Sequence, residues 1–240
     1  MHSSDRDDKK IIWVVGCPKC GNTWLSRLVG EAIDAPVGGT WHQTRNMWKQ
    51  PACAEGSDRI SDHWIYQEHL YDPSVAKNDK TIFINRDPRD VIVATKFYWA
   101  TNSISAAIEK MALKWASMLN LWYPDTATAC TSYEALLNDT SSELSFLLSG
   151  IGVTPVKDID EVVHNQSFAQ RSQFVENNRD NLHLGYRIQK SLVRKGIVGD
   201  WRNHLSVADA KKIHELLYPQ MKSLGYETNE EWWKLESVPT

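Results

Sequence analysis

The chain has 240 residues, 27 Lys and Arg against 30 Asp and Glu, a formal charge of -3 and 42% hydrophobic residues. That length and balance suit a single α/β domain over residues 1–240 and lack the basic excess of a nucleic-acid-binding protein. The longest apolar run, residues 11–15, falls far short of the roughly 18 residues that cross a bilayer, and four cysteines are too few for a disulfide scaffold in a chain this long.

The first ten residues are polar and charged, so residues 1–9 read as a flexible N-terminus without a signal segment, and a reducing, cytoplasmic setting fits. Residues 11–15 (Ile-Ile-Trp-Val-Val) form the first expected strand. Gly16-Cys-Pro-Lys-Cys-Gly21-Asn22-Thr23 follows, and residues 24–35 carry helical spacing. Strand, two glycines and helix start are the parts of a phosphate-binding loop, with one departure. Asn22 stands where a nucleoside-triphosphate loop has lysine, and the cation is Lys19, inside the loop. A turn feeding a helix N-terminus still offers amides and a positive dipole end to an anion. The expectation is an anion site without the triphosphate signature; a plain strand-to-helix turn is the bland alternative. Cys17 and Cys20 also form a CxxC at a helix start, where thiol-disulfide oxidoreductases keep their redox pair. Zinc would need two further ligands in compact spacing, and Cys53 and Cys130 stand alone.

Residues 64–66 read as the second strand, with His63 at its start and His69 just beyond its carboxyl end. Histidine titrates near neutrality and suits proton removal from a hydroxyl, and position singles out His69 from the other seven histidines. Residues 81–84 form a third strand leading into Asn85-Arg86-Asp87-Pro88-Arg89-Asp90. Asp87 is placed as N-cap and Pro88 as N1 of a helix over residues 88–98, so Arg86 lies at the strand's carboxyl end, suited to an anion; an ion pair with Asp90 is the structural alternative. Helical spacing recurs over residues 105–121, 141–148 and 207–224, with another strand at 127–131. Such β-α alternation predicts a three-layer α/β/α domain of the P-loop nucleotide-binding type, with a central parallel sheet and its sites at the strands' carboxyl ends. Residues 172–190, polar and including Gly185, read as a lid.

Late in the chain comes Val193-Arg-Lys-Gly-Ile-Val-Gly-Asp-Trp-Arg-Asn203. With it the chain resembles the PAPS-dependent sulfotransferases, which use 3′-phosphoadenosine 5′-phosphosulfate (PAPS). The family's 5′-phosphosulfate loop is similar to residues 17–24, its 3′-phosphate motif to residues 86–91, and its RKGxxGDW segment to residues 194–201, in the same order; residues 218–226 resemble its closing helix. The resemblance implies an EC 2.8.2-type enzyme that moves a sulfuryl group in line from PAPS to a hydroxyl or amine of a small-molecule or carbohydrate acceptor, without a metal. Carried over by position, it implies that Lys19, Cys20, Gly21, Asn22 and Thr23 contact the 5′-phosphosulfate, and that Trp24 and Phe168 flank adenine. Tyr133 would lie near the nucleotide, Arg86, Arg194, Lys195 and Gly196 would hold the 3′-phosphate, and His69 would be the base. The chain also departs from the pattern. Ala94 stands at a usual serine, with Thr95 beside it as a substitute, and Gln67 stands at a frequent lysine. His63 matches the spacing of the animal cytosolic enzymes and is the second choice for the base. Asn22 disfavours a nucleotide kinase on the same fold, and the two distal motifs disfavour a CxxC oxidoreductase; turnover would separate an enzyme from a non-catalytic nucleotide binder. Acceptor walls are expected from residues 37–60, with Trp41, His42 and Trp48, and from the region after Tyr98.

Overall fold

In the computed structural model, which describes residues 10–40, 56, 58–69, 79–99, 103–178, 190 and 192–234, the first strand is buried on both faces. Within β1 (Lys10–Val15), Trp13 and Val15 enter one apolar cluster while Ile12 and Val14 enter another, as the period of two along a strand requires. Around it stand β2 (Val37–Thr40), β3 (His63–Glu68), β4 (Lys80–Asn85) and β5 (Ala129–Ser132), in the order β2-β3-β1-β4-β5 with every pairing parallel.

Parallel neighbours need crossovers, and the helices supply them on both faces. One face carries α1 (Asn22–Ala32), α4 (Tyr133–Asn138), α5 (Thr140–Gly150) and α6 (Ile159–Asn165), which pack Leu25, Leu28, Leu136, Leu144 and Val162 onto Ile12, Val14, Ile65, Ile82 and Ile84. The opposite face carries α2 (Pro88–Tyr98), α3 (Ile104–Trp122) and α8 (Val207–Ser223), the last opened by a capping box from Ser206 and Asp209. Five of the chain's eleven tryptophans are core on this side: Trp13, Trp115, Trp122, Trp201 and Trp232 are all buried there.

The expected three-layer α/β/α arrangement is therefore present. β2 escaped the sequence reading because Val-Gly-Gly-Thr has no apolar run, and Gly38 is needed there: a Cβ would lie 2.7 Å from the Tyr66 ring. The strand expected at 127–131 starts two residues later. At the start of the stretch expected as a lid, residues 172–177 belong to α7 (Phe168–Asn177), capped by Ser167, whose side chain accepts from Gln170 N–H. Gly185 and the rest of 179–189 lie outside the described residues, as do Trp41, His42 and Trp48.

Candidate active site

Strand register decides which residues meet. Val15 pairs with Glu68 on one side and Phe83 on the other, and Asn85 pairs with Ser132. The residues just past these pairs, Gly16, His69, Arg86 and Tyr133, therefore gather along the carboxyl rim of the sheet. His69 Nδ1 lies 3.0 Å from Gly16 O. A carbonyl can only accept, so Nδ1 carries the proton and Nε2 is the basic nitrogen of the neutral ring. His63 sits at the amino end of β3, opposite Lys10, with Nδ1 2.7 Å from Asp62.

The loop after β1 folds as a turn, closed by Cys20 N–H donating to Cys17 O at 3.2 Å, with Pro18 and Lys19 in the middle. Lys19 has φ 74, in the left-handed region where the third turn position usually demands glycine. Holding a lysine there costs roughly 1 kcal/mol. Its ammonium stands 4.2 Å from the Tyr98 ring centroid. Burial, with the neighbouring positive charges of Arg86 and Arg194, pushes the Lys19 pKa from 10.5 down to about 7. Gly21, at φ 103, is required twice over, because a Cβ would also lie 2.8 Å from the Tyr133 ring. Asn22 is buried, donates to Gly16 O at 3.3 Å, and leaves Oδ1 without a partner among the described residues. Thr23 donates to Gln67 Oε1 at 3.2 Å. Gly21 makes no side-chain cap to α1, so the first amides of the helix are offered to the loop.

Cys17 and Cys20 are buried free thiols. Burial, and then the hydrogen bond with Cys17, push the Cys20 thiol well up. A redox pair needs a stabilised thiolate, so this geometry opposes the oxidoreductase reading.

Asp87 caps α2 as expected, accepting from Arg89 N–H at 2.9 Å with Pro88 at N1. Arg86 does more than pair with Asp90, which it approaches at 3.7 Å. Its guanidinium stacks 4.1 Å above the Tyr133 ring, donates to Lys19 O at 3.4 Å and to Ile197 O at 2.9 Å, and keeps a buried Nε without a partner among the described residues. It thus joins the first loop to the late segment. Within that segment Arg194 and Lys195 each donate to Asp200 at 2.7 Å. Burial raises the Asp200 pKa, but hydrogen bonds from Lys195, Arg194 and Asn203 overcome it and hold the carboxyl well below the usual range. Gly196, at φ 66, lies against Phe168, whose ring a Cβ would approach to 2.7 Å.

Trp24 donates from its indole to Gln166 O at 3.0 Å and meets the Tyr133 ring edge-on, which ties the start of α1 to the turn before α7 and Phe168. Thr95 is fully buried on α2 and its hydroxyl has no partner among the described residues, while Ala94 is partly exposed.

Sequence reasoning missed three groups. Asp90 accepts from the N–H of Gly199 at 2.7 Å and of Trp201 at 2.9 Å. Arg89 chelates Asp87, donates to Glu227 and to Tyr226 O at 2.8 Å each, and lies over the rings of both Trp201 and Trp232, which meet edge-on. Tyr226 donates to Asn85 Oδ1 at 2.6 Å under the rim. Only the run of charges in residues 86–90 hinted at the first two. Among the described residues there is no cluster of three or more His, Cys, Asp or Glu that could hold a metal, and no helix long and apolar enough to cross a membrane.

The chain is also similar to known proteins. The family model for the sulfotransferase domain matches residues 9–225. Human sulfotransferase 2A1 is 25% identical over 251 residues, covering 92% of this chain and 87% of its own length. The 3-beta-hydroxysteroid sulfotransferase of Cavia porcellus is 26% identical, covering 87% and 82%. Among solved structures, mouse sulfotransferase SULT7A1 complexed with PAP superposes with a TM-score of 0.67 at 20% identity, over 95% of this chain and 90% of that one. Retinol dehydratase in complex with androsterone and inactive cofactor PAP gives 0.60 at 14% identity, over 88% and 80%.

Proposed function

Since the chain belongs to the sulfotransferase-domain family, we propose that it is a PAPS-dependent sulfotransferase acting on a hydroxyl of a small molecule. The observation that carries this reading is the crowding of Lys19, Arg86 and Arg194 on one rim, close enough that the two arginines help depress the lysine. Cations held together against their mutual repulsion fit an anionic ligand, and so does the buried Arg86 Nε that lacks a partner among the described residues. The donors are spread over two clusters rather than one. The β1–α1 loop, with Lys19, Cys20, Gly21, Asn22 and Thr23, would hold the 5′ end of PAPS; Arg86, Arg194, Lys195 and the Gly196 backbone would hold the 3′-phosphate; Trp24, Tyr133 and Phe168 would frame the base.

When bound, PAPS supplies the sulfuryl group. His69 Nε2 takes the acceptor's hydroxyl proton, with the imidazole held in that tautomer by the Nδ1–H···O contact to Gly16. Lys19 places positive charge where negative charge grows on the departing phosphate oxygen. Gln67, braced by Thr23, leaves that end of the site with one cation fewer than a lysine would give, which puts more weight on Lys19. No metal is assigned a role. A cytoplasmic setting belongs to the same reading, in keeping with the free thiols of Cys17 and Cys20.

The relative named for 3β-hydroxysteroids and the androsterone in the retinol dehydratase complex make hydroxysteroids the first acceptors to try. The test is transfer of labelled sulfur from PAPS to a panel of steroids, phenols and amines. Sulfated product with at least one hydroxyl acceptor supports the proposal. PAP binding without turnover on any acceptor would replace it with a non-catalytic nucleotide binder.

A further inference from the structure

The late segment with Arg194 and Lys195 does not belong to the sheet, so something must hold its cations over the rim. Two consecutive residues in the first turn of α2 hold late parts of the chain: Arg89 holds the stretch around Tyr226 and Glu227, and Asp90 holds the stretch at Gly199 to Trp201. Asp90 is 2% exposed and uses both carboxylate oxygens. Oδ2 accepts from Gly199 N–H and Oδ1 from Trp201 N–H, the amides that open the 3-10 turn Asp200–Asn203. Gly199, at φ 81, turns its amide toward the carboxylate in a conformation that L side chains rarely adopt. Asp200, between the two amides, then points its own carboxylate back to Arg194 and Lys195.

We propose that Asp90 is a positioning residue for the nucleotide's 3′-phosphate, anchoring the 194–201 segment to α2 so that Arg194, Lys195 and the Ile197 carbonyl that receives Arg86 are fixed in place. This rests on the sulfotransferase reading and deepens it. The 5′ end of the nucleotide belongs to the β1–α1 loop, which Asp90 does not hold, so loss of Asp90 falls selectively on ligands that carry a 3′-phosphate. Charge-assisted hydrogen bonds to buried amides are among the stronger ones, and Asn in place of Asp keeps the shape but can accept through only one of its two ends.

The experiment compares adenosine 3′,5′-bisphosphate with adenosine 5′-monophosphate by calorimetric titration of wild type, Asp90→Asn and Leu144→Ala. Leu144→Ala removes a buried side chain on the opposite face of the sheet and serves as a destabilised control. Asp90→Asn is expected to weaken the bisphosphate by about tenfold and the monophosphate by less than about threefold, while Leu144→Ala leaves their ratio unchanged. Equal losses for both ligands, or none, would overturn the proposal. Gly199→Ala perturbs the same anchor without removing a charge, since its Cβ would be strained at that φ and lie 2.8 Å from Arg202 Nη1. It should show the same selectivity, and it carries the test if Asp90→Asn does not fold. Wild type that binds the two ligands equally would instead refute the sulfotransferase reading itself.

Discussion

His69 and Gly16 are joined by a 3.0 Å contact between Nδ1 and the carbonyl oxygen, across adjacent ends of β3 and β1. With a carbonyl as its partner, Nδ1 carries the proton of the neutral ring and Nε2 is the acceptor nitrogen, the one the proposed base role needs. His69→Ala is therefore expected to lower turnover by about 10² to 10⁴, whereas His63→Ala, which loses only a partner of Asp62 at the far end of the strand, stays near wild type. Steady-state rates with PAPS and a working acceptor decide this; reversed effects would move the base to His63.

Lys19 titrates where it can be watched. With its pKa near 7 in the free protein, it is largely neutral above that pH, and an anion that favours the ammonium draws in a proton on binding. Titration calorimetry of the bisphosphate at about pH 8 in two buffers of different ionisation enthalpy should report uptake of up to one proton. Lys19→Met should abolish that uptake; unchanged uptake would exclude Lys19 as its source.

The same shift makes a stability prediction. Between about 7 and 10.5 the unfolded chain binds the Lys19 proton and the native one does not, so stability rises with pH across that window and the full penalty applies below 7. Nucleotide-free Lys19→Met should melt above wild type near pH 6, and the gap should close toward pH 10. A gap independent of pH would contradict the account.

Arg89 holds a buried carboxylate, a second acid and a carbonyl, and lies against two indoles. Arg89→Ala would strand Asp87 in the core and should destabilise the fold by about 3 to 5 kcal/mol in urea unfolding followed by tryptophan fluorescence. A loss below about 1 kcal/mol would mean that the stack and its ion pairs contribute little.

Cys17 and Cys20 are expected to resist thiol reagents in the native protein and to react after unfolding, because burial raises the Cys20 thiol. Rapid native labelling of both would revive a redox role.

β1, β3 and β4 were legible because residues 11–15, 64–66 and 81–84 are short β-branched or aromatic runs, and α2 because Asp87-Pro88 marks its start; β2 was not. Lys19, Arg86 and His69 could be placed from strand ends alone. The polar contacts between distant segments were not legible: nothing in the spacing of Asp90 and Gly199 says that a carboxylate will receive two amides about a hundred positions later in the chain. Nor does adjacency in sequence tell Ala94 from Thr95: one step along a helix turns a side chain by roughly 100°, and here it leads from a partly exposed alanine to a buried threonine.

Recognition of a 3′-phosphate by this rim can be read by thermal shift with nucleotides. If the rim recognises a 3′-phosphate through Arg86, Arg194 and Lys195, adenosine 3′,5′-bisphosphate should raise the melting temperature far above AMP, ADP or ATP with magnesium, with or without EDTA. At a free concentration of about 100 times the dissociation constant, binding adds roughly 2.7 kcal/mol, enough for a clear shift in a chain of this size. An equal or larger shift with magnesium-ATP that EDTA removes, or no shift with the bisphosphate, would contradict it.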